Sequence, residues 1–191
     1  AMDINPNQEY LSLDGRIRDT YVAQSEGATS SRTSYDSYIR AIRWASDRIG
    51  EQGIIGYVTN GGFLDSNSAD GLRRTLSSEF TDLYVYNLRG NSRMAGDAAR
   101  REGGNVFGVR VGIAVFFLVK DTRRKGLEHI RYHDIGDYLT YEEKLALINE
   151  ATLDSLPWRT IMPNSHADWL KQRSDIFRTW QFIGGDTTGG G

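Results

Sequence analysis

Apolar positions recur along the chain with two different periods, three to four residues in some segments and two in others. The longer period is typical of helices that bury one face. One segment with this period begins after Ser34, which we interpret as its N-terminal capping residue. Thr140 and Glu143 have the T-x-x-E spacing of a capping box, which also predicts the start of a helix. Helices are therefore predicted over residues 11–22, 34–49, 68–80 and 140–151.

Short runs rich in Val, Ile and Phe separate these helices and predict strands over residues 54–58, 82–88, 106–119 and 127–133. The first run is apolar throughout, so we expect a buried strand of a parallel sheet. The last two runs flank a turn-like segment and predict an antiparallel hairpin. This alternation of helices and strands indicates an α/β domain.

A turn with the sequence Asn60-Gly61-Gly62 follows the first predicted strand. The carboxyl ends of strands in open parallel sheets face the ligand crevice. We therefore expect substrate contacts at this turn.

Composition narrows the class of protein. The chain has 191 residues, 39% of them apolar, which is enough for one sizeable core. It contains no cysteine and only three histidines, so we predict no disulfide framework, no metal site and no histidine-based catalytic triad. No apolar run reaches the roughly 18 residues of a membrane span, and we expect a cytoplasmic protein without membrane contact.

Basic residues are concentrated between positions 89 and 125. This stretch has nine basic and three acidic residues, a net charge of +6, whereas the remaining residues carry a net charge of −8. Arginine outnumbers lysine by 19 to 4, and the planar guanidinium suits bidentate contacts with phosphate. The stretch is interpreted either as a face that meets nucleic-acid phosphates or as a solvated charged loop. Its first part, residues 89–105, is predicted to be a long polar loop.

Four runs of sequence resemble one family of enzymes. They are residues 13–25, residues 35–73, the run YVYNLRGNSRMAGDAARREGGNVFG at 84–108, and the run YHDIGDYLTYEEKLALINE at 132–150. In this order they resemble the methyltransferase region of Type ISP restriction-modification enzymes. One polypeptide of that family carries a nuclease, a helicase-like motor, an adenine-N6 DNA methyltransferase and a target recognition domain.

The resemblance implies the second half of a Rossmann-like methyltransferase sheet, with a terminal antiparallel hairpin and flanking helices. Residues 1–156 are then the C-terminal half of the methyltransferase domain, and residues 157–191 begin a linker or a target recognition region. The S-adenosylmethionine site and the catalytic Asn-Pro-Pro-Tyr motif would precede Ala1. Asn5-Pro6-Asn7 has a single proline and no aromatic residue in place, so we do not interpret it as that motif. We therefore predict no catalytic residue and no cofactor in this chain, which should be inactive by itself.

The resemblance also assigns roles to particular side chains. Amino-methyltransferases extrude the target adenine, and an aromatic side chain that stacks on the flipped base stabilises it. Phe107 is our candidate for this stacking, and the alternative is a core phenylalanine at the start of a strand. The candidates for contacts with the DNA backbone are Arg89, Arg93, Arg100 and Arg101.

Three partners are expected. They are double-stranded DNA, the upstream half of the methyltransferase domain and, through an exposed sheet edge, a second copy of the chain. The alternative function is a non-catalytic DNA-contacting or assembly module, or the remnant of a restriction enzyme.

Overall fold

A computed structural model describes residues 10–26, 33–125 and 129–174, and two sequence features, the Asn5-Pro6-Asn7 segment and the last 17 residues, lie outside this part. Five strands form one mixed sheet with the order β1-β3-β2-β4-β5. The strands are β1 Gln52–Asn60, β2 Asp82–Arg89, β3 Ile113–Asp121, β4 His129–Asp134 and β5 Arg159–Ile161. The α/β class predicted from the sequence is confirmed.

Within the described ranges, five α-helices accompany the sheet: α1 Leu11–Ile17, α2 Ser37–Ser46, α3 Asp70–Glu79, α4 Gly96–Glu102 and α5 Tyr141–Glu150. The capping box is confirmed, because the Thr140 hydroxyl accepts from the Glu143 amide and the Glu143 carboxylate accepts from the Thr140 amide. Ser34 was the wrong cap for α2. It lies in a 3-10 turn over Thr33–Tyr35, and Asp36 occupies the N-cap position instead. Helix α4 lies inside the predicted polar loop.

The predicted antiparallel hairpin between the third and fourth strands is wrong. β3 lies between β1 and β2 and is antiparallel to both, whereas β4 pairs with β2 in parallel and with β5 antiparallel. A hairpin pattern predicts pairing of neighbours in sequence, but both edges of β3 are occupied by β1 and β2, which leaves no edge for β4. β3 also begins at Ile113, later than predicted, because residues 105–108 form a turn.

The directions of the strands bring several strand ends to the same side of the sheet. β1, β2 and β4 run in one direction and β3 runs in the other. We call the end where β1, β2 and β4 finish and β3 begins the carboxyl end of the sheet. The other end is called the amino end.

β1 was predicted to be a buried parallel strand, and this is wrong. Among the described residues it pairs only with β3, so its second edge is open. Its burial alternates, with Ile55 in the core and Ile54 and Val58 exposed at 69% and 53%. An apolar run alone does not distinguish a strand covered on both faces from an edge strand that exposes one face.

The main core lies on one face of the sheet, between the strands and helices α1, α2 and α3. Ile55, Phe116 and Leu83 project from the sheet into this core, and Ile42 and Leu76 project from α2 and α3. Full burial of each such side chain contributes about 1.5–3 kcal/mol, so this face supplies most of the apolar stabilisation.

The second face of the sheet is covered over only part of its width. Tyr86 and Ile135 pack there with Ile148 of α5 and with Trp158, over the β2 and β4 side. Over the β1 and β3 side, Ile54, Val58 and Phe117 remain exposed. We call these three residues the outer apolar patch.

The segment after residue 157 packs on the same sheet and core. β5 extends the sheet, and Trp169 lies 6.2 Å from Phe63 between ring centroids in the main core. Arg73 of α3 donates to the Asp168 carboxylate at 2.9 Å, and both side chains are buried. Packing therefore continues across the boundary placed after residue 156, up to Arg173, which pairs with Asp168. The assignment of residues 157–191 to a linker or a recognition region stays a prediction.

None of the helices in the described ranges is long and apolar enough to cross a lipid bilayer.

Candidate nucleic-acid interface

The residues selected from the sequence converge on the carboxyl end of the sheet. The Asn60 turn follows β1, Arg89 ends β2, and the Phe107 turn precedes β3. Helix α4, which carries Arg100 and Arg101, also lies in the connection between β2 and β3. One end of the sheet therefore brings together side chains that are up to about 50 positions apart in sequence.

The turn at Asn60 is ordered by its own side chain. Asn60 Oδ1 accepts from the Gly62 amide at 2.8 Å, and the Gly61 amide donates to the Gly112 carbonyl at 2.8 Å. The turn thus contacts the backbone that follows the Phe107 turn. The described neighbour of β1 is antiparallel and not parallel as expected, yet the turn does lie at the carboxyl end. Its contact with substrate stays a prediction.

Arg89 joins the ends of β2 and β4. It lies at a β-bulge with φ +57°, and its Nε donates to Asp134 Oδ1 at 2.6 Å while its terminal nitrogen pairs with Asp137. Burial lowers the pKa of Arg89, but the bond to Asp134 and the two carboxylate charges outweigh it, so the net pKa is raised. Because two carboxylates already hold this guanidinium, it positions the loop more readily than it reaches a phosphate.

Arg100 and Arg101 project from α4 into solvent, with side chains 76% and 56% exposed. Both pair with Asp97, at 3.2 and 2.9 Å. Exposed ion pairs of this kind contribute little free energy, about 0–1 kcal/mol. Both guanidiniums can therefore exchange Asp97 for a phosphate at low cost.

Arg93 and Arg110 lie on adjacent turns, because Ser92 Oγ donates to the Arg110 carbonyl at 3.5 Å. Both side chains are exposed, and no carboxylate of the described residues is within salt-bridge distance of either. Arg110 was not among our sequence-based DNA contacts, although it belongs to the same basic stretch. These two arginines are the cations best placed for phosphate contact.

Phe107 is exposed at the tip of its turn, with 58% of the residue accessible. It precedes β3 by six positions and is not a core residue, so the alternative of a core phenylalanine does not apply. The ring is accessible for stacking on a base, but the stacking role stays a prediction.

Lys144 of α5 fixes the loop that carries these side chains. It is fully buried, and its Nζ donates to the carbonyls of Leu88 at 2.8 Å and Glu102 at 2.7 Å. Burial lowers the pKa of Lys144. The sequence did not single out this lysine, because neither carbonyl partner can be identified from the helix alone.

The remaining basic residues lie elsewhere. Lys120 lies near the end of β3, and Arg123, Arg124 and Lys125 come after the strand, at the amino end of the sheet. There Arg124 pairs with Asp82 at 2.8 Å. A nine-residue strand spans about 27 Å, so the basic stretch is divided between opposite ends of the sheet.

Solved structures similar to this chain include three complexes with DNA. A DrdV–DNA complex is 36% identical with a TM-score of 0.82, over 88% of this chain and 16% of that chain. A nuclease-deletion mutant of LlaGI with a DNA substrate mimic is 42% identical with a TM-score of 0.85, over 95% of this chain and 17% of that chain. LlaBIII bound to DNA is 38% identical with a TM-score of 0.86, over 96% of this chain and 12% of that chain.

LlaGI and LlaBIII are Type ISP restriction-modification enzymes. The chain spans about one sixth or less of the length of these three proteins. No protein-family model matches the sequence, and it has no significant match among curated proteins.

Proposed function

We propose that this chain forms the C-terminal half of an adenine-N6 DNA methyltransferase domain of the Type ISP restriction-modification kind. It contributes the target-base pocket and contacts with the DNA backbone. The methyl-donor site, which would bind S-adenosylmethionine, belongs to the preceding part of that domain.

The main support is the similarity to Type ISP enzymes in complex with DNA, at 38% and 42% identity over nearly the whole of this chain. These matches support a DNA-interacting role. The structure adds that the predicted DNA-contacting side chains share one end of the sheet. This is the end at which open α/β sheets bind their ligands.

Each group at this end has a distinct role in the proposal. Arg93, Arg100, Arg101 and Arg110 contact phosphates and thereby position the duplex without reading its sequence. Phe107 stacks on the extruded adenine, which compensates part of the cost of unpairing it. Arg89 holds the ends of β2 and β4 together beneath these groups.

The outer apolar patch supports an upstream partner. The open edge of β1 and the exposed Ile54, Val58 and Phe117 lie side by side, since Gly56 of β1 pairs with Phe117 of β3. A further strand beside β1, with a helix over this face, would satisfy the open backbone groups and cover the patch. The preceding half of a methyltransferase domain would supply both.

A salt series tests the DNA contact. Affinity of the chain for a fluorescent duplex is measured by anisotropy from about 50 to about 200 mM salt. The variant R93Q/R100Q/R101Q/R110Q should weaken binding at low salt. It should also reduce the slope of log Kd against log salt by about 0.9 for each phosphate that the variant no longer neutralises.

The control is R123Q/K125Q, which removes two charges at the amino end of the sheet and should change the slope by less than about 0.9, the value for one phosphate. An equal decrease of affinity per charge removed in the two variants would indicate nonspecific attraction and would contradict the proposed interface. Absence of binding by the wild-type chain at low salt would contradict it as well.

A further inference from the structure

The turn that carries Phe107 is built around the side chain of Asn105. Asn105 Oδ1 accepts from the backbone amides of Phe107 at 2.9 Å and Val109 at 3.2 Å. Its Nδ2 donates to the carbonyls of Gly90 at 3.0 Å and Val111 at 2.8 Å. One amide side chain thus uses two donors and two accepting positions at once, which is its full capacity.

These four bonds connect three parts of the carboxyl end. Gly90 directly follows β2, residues 107 and 109 form the turn, and Val111 leads into β3. Gly90 has φ +84°, and a Cβ added there would lie 2.9 Å from the Cα of Asn105. The backbone after β2 therefore approaches Asn105 closely, and a short amide side chain supplies both the acceptor and the donors that this approach requires.

The same turn occurs a second time in the chain, around Asn164. Asn164 Oδ1 accepts from the amides two and four positions later, those of His166 at 3.1 Å and Asp168 at 2.9 Å. Its Nδ2 donates to the Arg173 carbonyl at 3.0 Å. The residue three positions after the asparagine has positive φ in both turns, +65° at Gly108 and +57° at Ala167.

The two turns differ in what they do with the side chains that they orient. In the Asn164 turn, the residues two and four positions after the asparagine, His166 and Asp168, are buried. The Asn105 turn leaves the corresponding Phe107 and Val109 exposed at 58% and 44%. A rigid turn that holds two apolar side chains in water has no benefit for the core. It does present a fixed apolar surface for binding, at a reduced entropic cost.

We propose that Asn105 is a positioning residue that preforms this turn, so that the Phe107 ring is already oriented for stacking on an extrahelical base. This inference rests on the proposed function. It adds a residue that contacts neither the base nor a phosphate and acts through the Phe107 backbone.

The test compares two DNA probes, a fully paired duplex and the same duplex with one unpaired adenine. The measured quantity is the ratio of the two Kd values, which reports stacking on an accessible base rather than phosphate contact. F107A should reduce the preference for the unpaired adenine by about tenfold, in the range expected for removal of one stacked aromatic ring. N105A should reduce it by a similar factor although the ring is still present.

A double-mutant cycle tests whether Asn105 affects base binding through Phe107. If Asn105 acts through Phe107, N105A should cause no further decrease of the preference in an F107A background. N105D keeps an acceptor for the two amides but sets a carboxylate oxygen against the carbonyls of Gly90 and Val111, so it should reduce the preference at least as much as N105A. N164A is the matched control, because it removes the equivalent turn-forming side chain away from this end and should leave the ratio unchanged.

The possible outcomes distinguish failure of the positioning role of Asn105 from failure of the proposed function. If F107A abolishes the preference and N105A retains it, the inference is overturned and the proposed function stands. Additive effects in the cycle, or an equal decrease of the preference in N164A, would show a general structural effect and would also overturn the inference. Retention of the preference by F107A would overturn the stacking role itself. Hydrogen exchange at the amides of Phe107 and Val109 should accelerate in N105A, and unchanged exchange would show that Asn105 does not order the turn.

Discussion

At the scale of single residues, buried charges determine how the carboxyl-terminal segment is held. Arg73 is fully buried and donates to Asp168, to the carbonyls of Phe63 and Ser66, and to the carbonyl of Ala167. Asp168 also accepts from Arg173 at 2.8 Å. Neutralisation of Asp168 removes the carboxylate that both buried guanidiniums contact, and leaves Arg73 with backbone carbonyls as its direct acceptors.

We therefore expect D168N to lower the free energy of unfolding by about 3–5 kcal/mol, measured by urea denaturation. D97N removes a carboxylate with the same change of charge, but from exposed ion pairs, and should cost less than about 1 kcal/mol. A similar small decrease in both variants would show that the Arg73 network contributes little to stability.

The contacts of Asp168 with Arg73 and Arg173 also predict that the stability of the fold depends on pH. Burial raises the pKa of Asp168, but the hydrogen bonds from Arg173 and the charges of Arg173 and Arg73 outweigh it, so its net pKa lies below the ordinary 3.8. A carboxylate with a lowered pKa stabilises the fold above its unfolded-state pKa, and this contribution disappears as the pH falls through the folded-state value. The stability difference between wild type and D168N should be constant near neutral pH and shrink below about pH 4. A difference that grows on acidification would contradict this assignment.

Residues whose role depends on their own chemistry could be selected from the sequence. Arg89, Arg93, Arg100, Arg101 and Phe107 were selected in this way, and all five lie at the carboxyl end of the sheet, where two carboxylates hold Arg89. Asn105 and Lys144 were missed, because their partners lie on other segments of the chain. A hydrogen bond across 56 positions leaves no periodic signal in the sequence.

At the scale of elements, the connection between β2 and β3 combines the Asn105 turn with a stretch around α4 that is held by contacts from α5. Helix α4 buries none of its residues, so it gains little from apolar packing. The backbone is instead held by the hydrogen bond from Lys144 and by close packing of Gly103 on residue 139. A Cβ added at Gly103 would lie only 2.1 Å from the Leu139 carbonyl oxygen. The order of this connection therefore depends on α5 and the turn before it.

K144M should lower the free energy of unfolding by about 1–3 kcal/mol, because it leaves the carbonyls of Leu88 and Glu102 without their donor. Hydrogen exchange should accelerate in residues 90–104 more than in β1. K120M removes a lysine that lies on β3, away from this connection, and should not change the exchange of residues 90–104. Unchanged exchange in those residues of K144M would show that the connection is ordered by other contacts.

At the scale of the whole molecule, the uncovered part of the sheet is the surface most prone to self-association. The outer apolar patch lies beside the open edge of β1, and such an edge pairs readily with another strand. We expect the isolated chain to self-associate, with an average mass in light scattering that rises with concentration. I54K/V58K should shift it towards the monomer.

L11K is the control for this prediction. Leu11 is 83% exposed but belongs to α1 on the other side of the sheet, so the substitution should not alter the mass. A monodisperse monomer for the wild type would contradict the prediction, and equal effects of both variants would indicate general changes in solubility.

The sequence by itself determined the class of fold, most helices and strands, and the chemistry of the candidate interface. These properties depend on local periodicity, on capping and on side-chain type, all of which can be recognised in a short segment. The tertiary structure decided the order of the strands, the open edge of β1 and the division of the basic stretch between two ends of the sheet. Pairing between distant strands depends on which edges and faces remain to be buried once the whole chain is packed, and a local pattern carries no information about that.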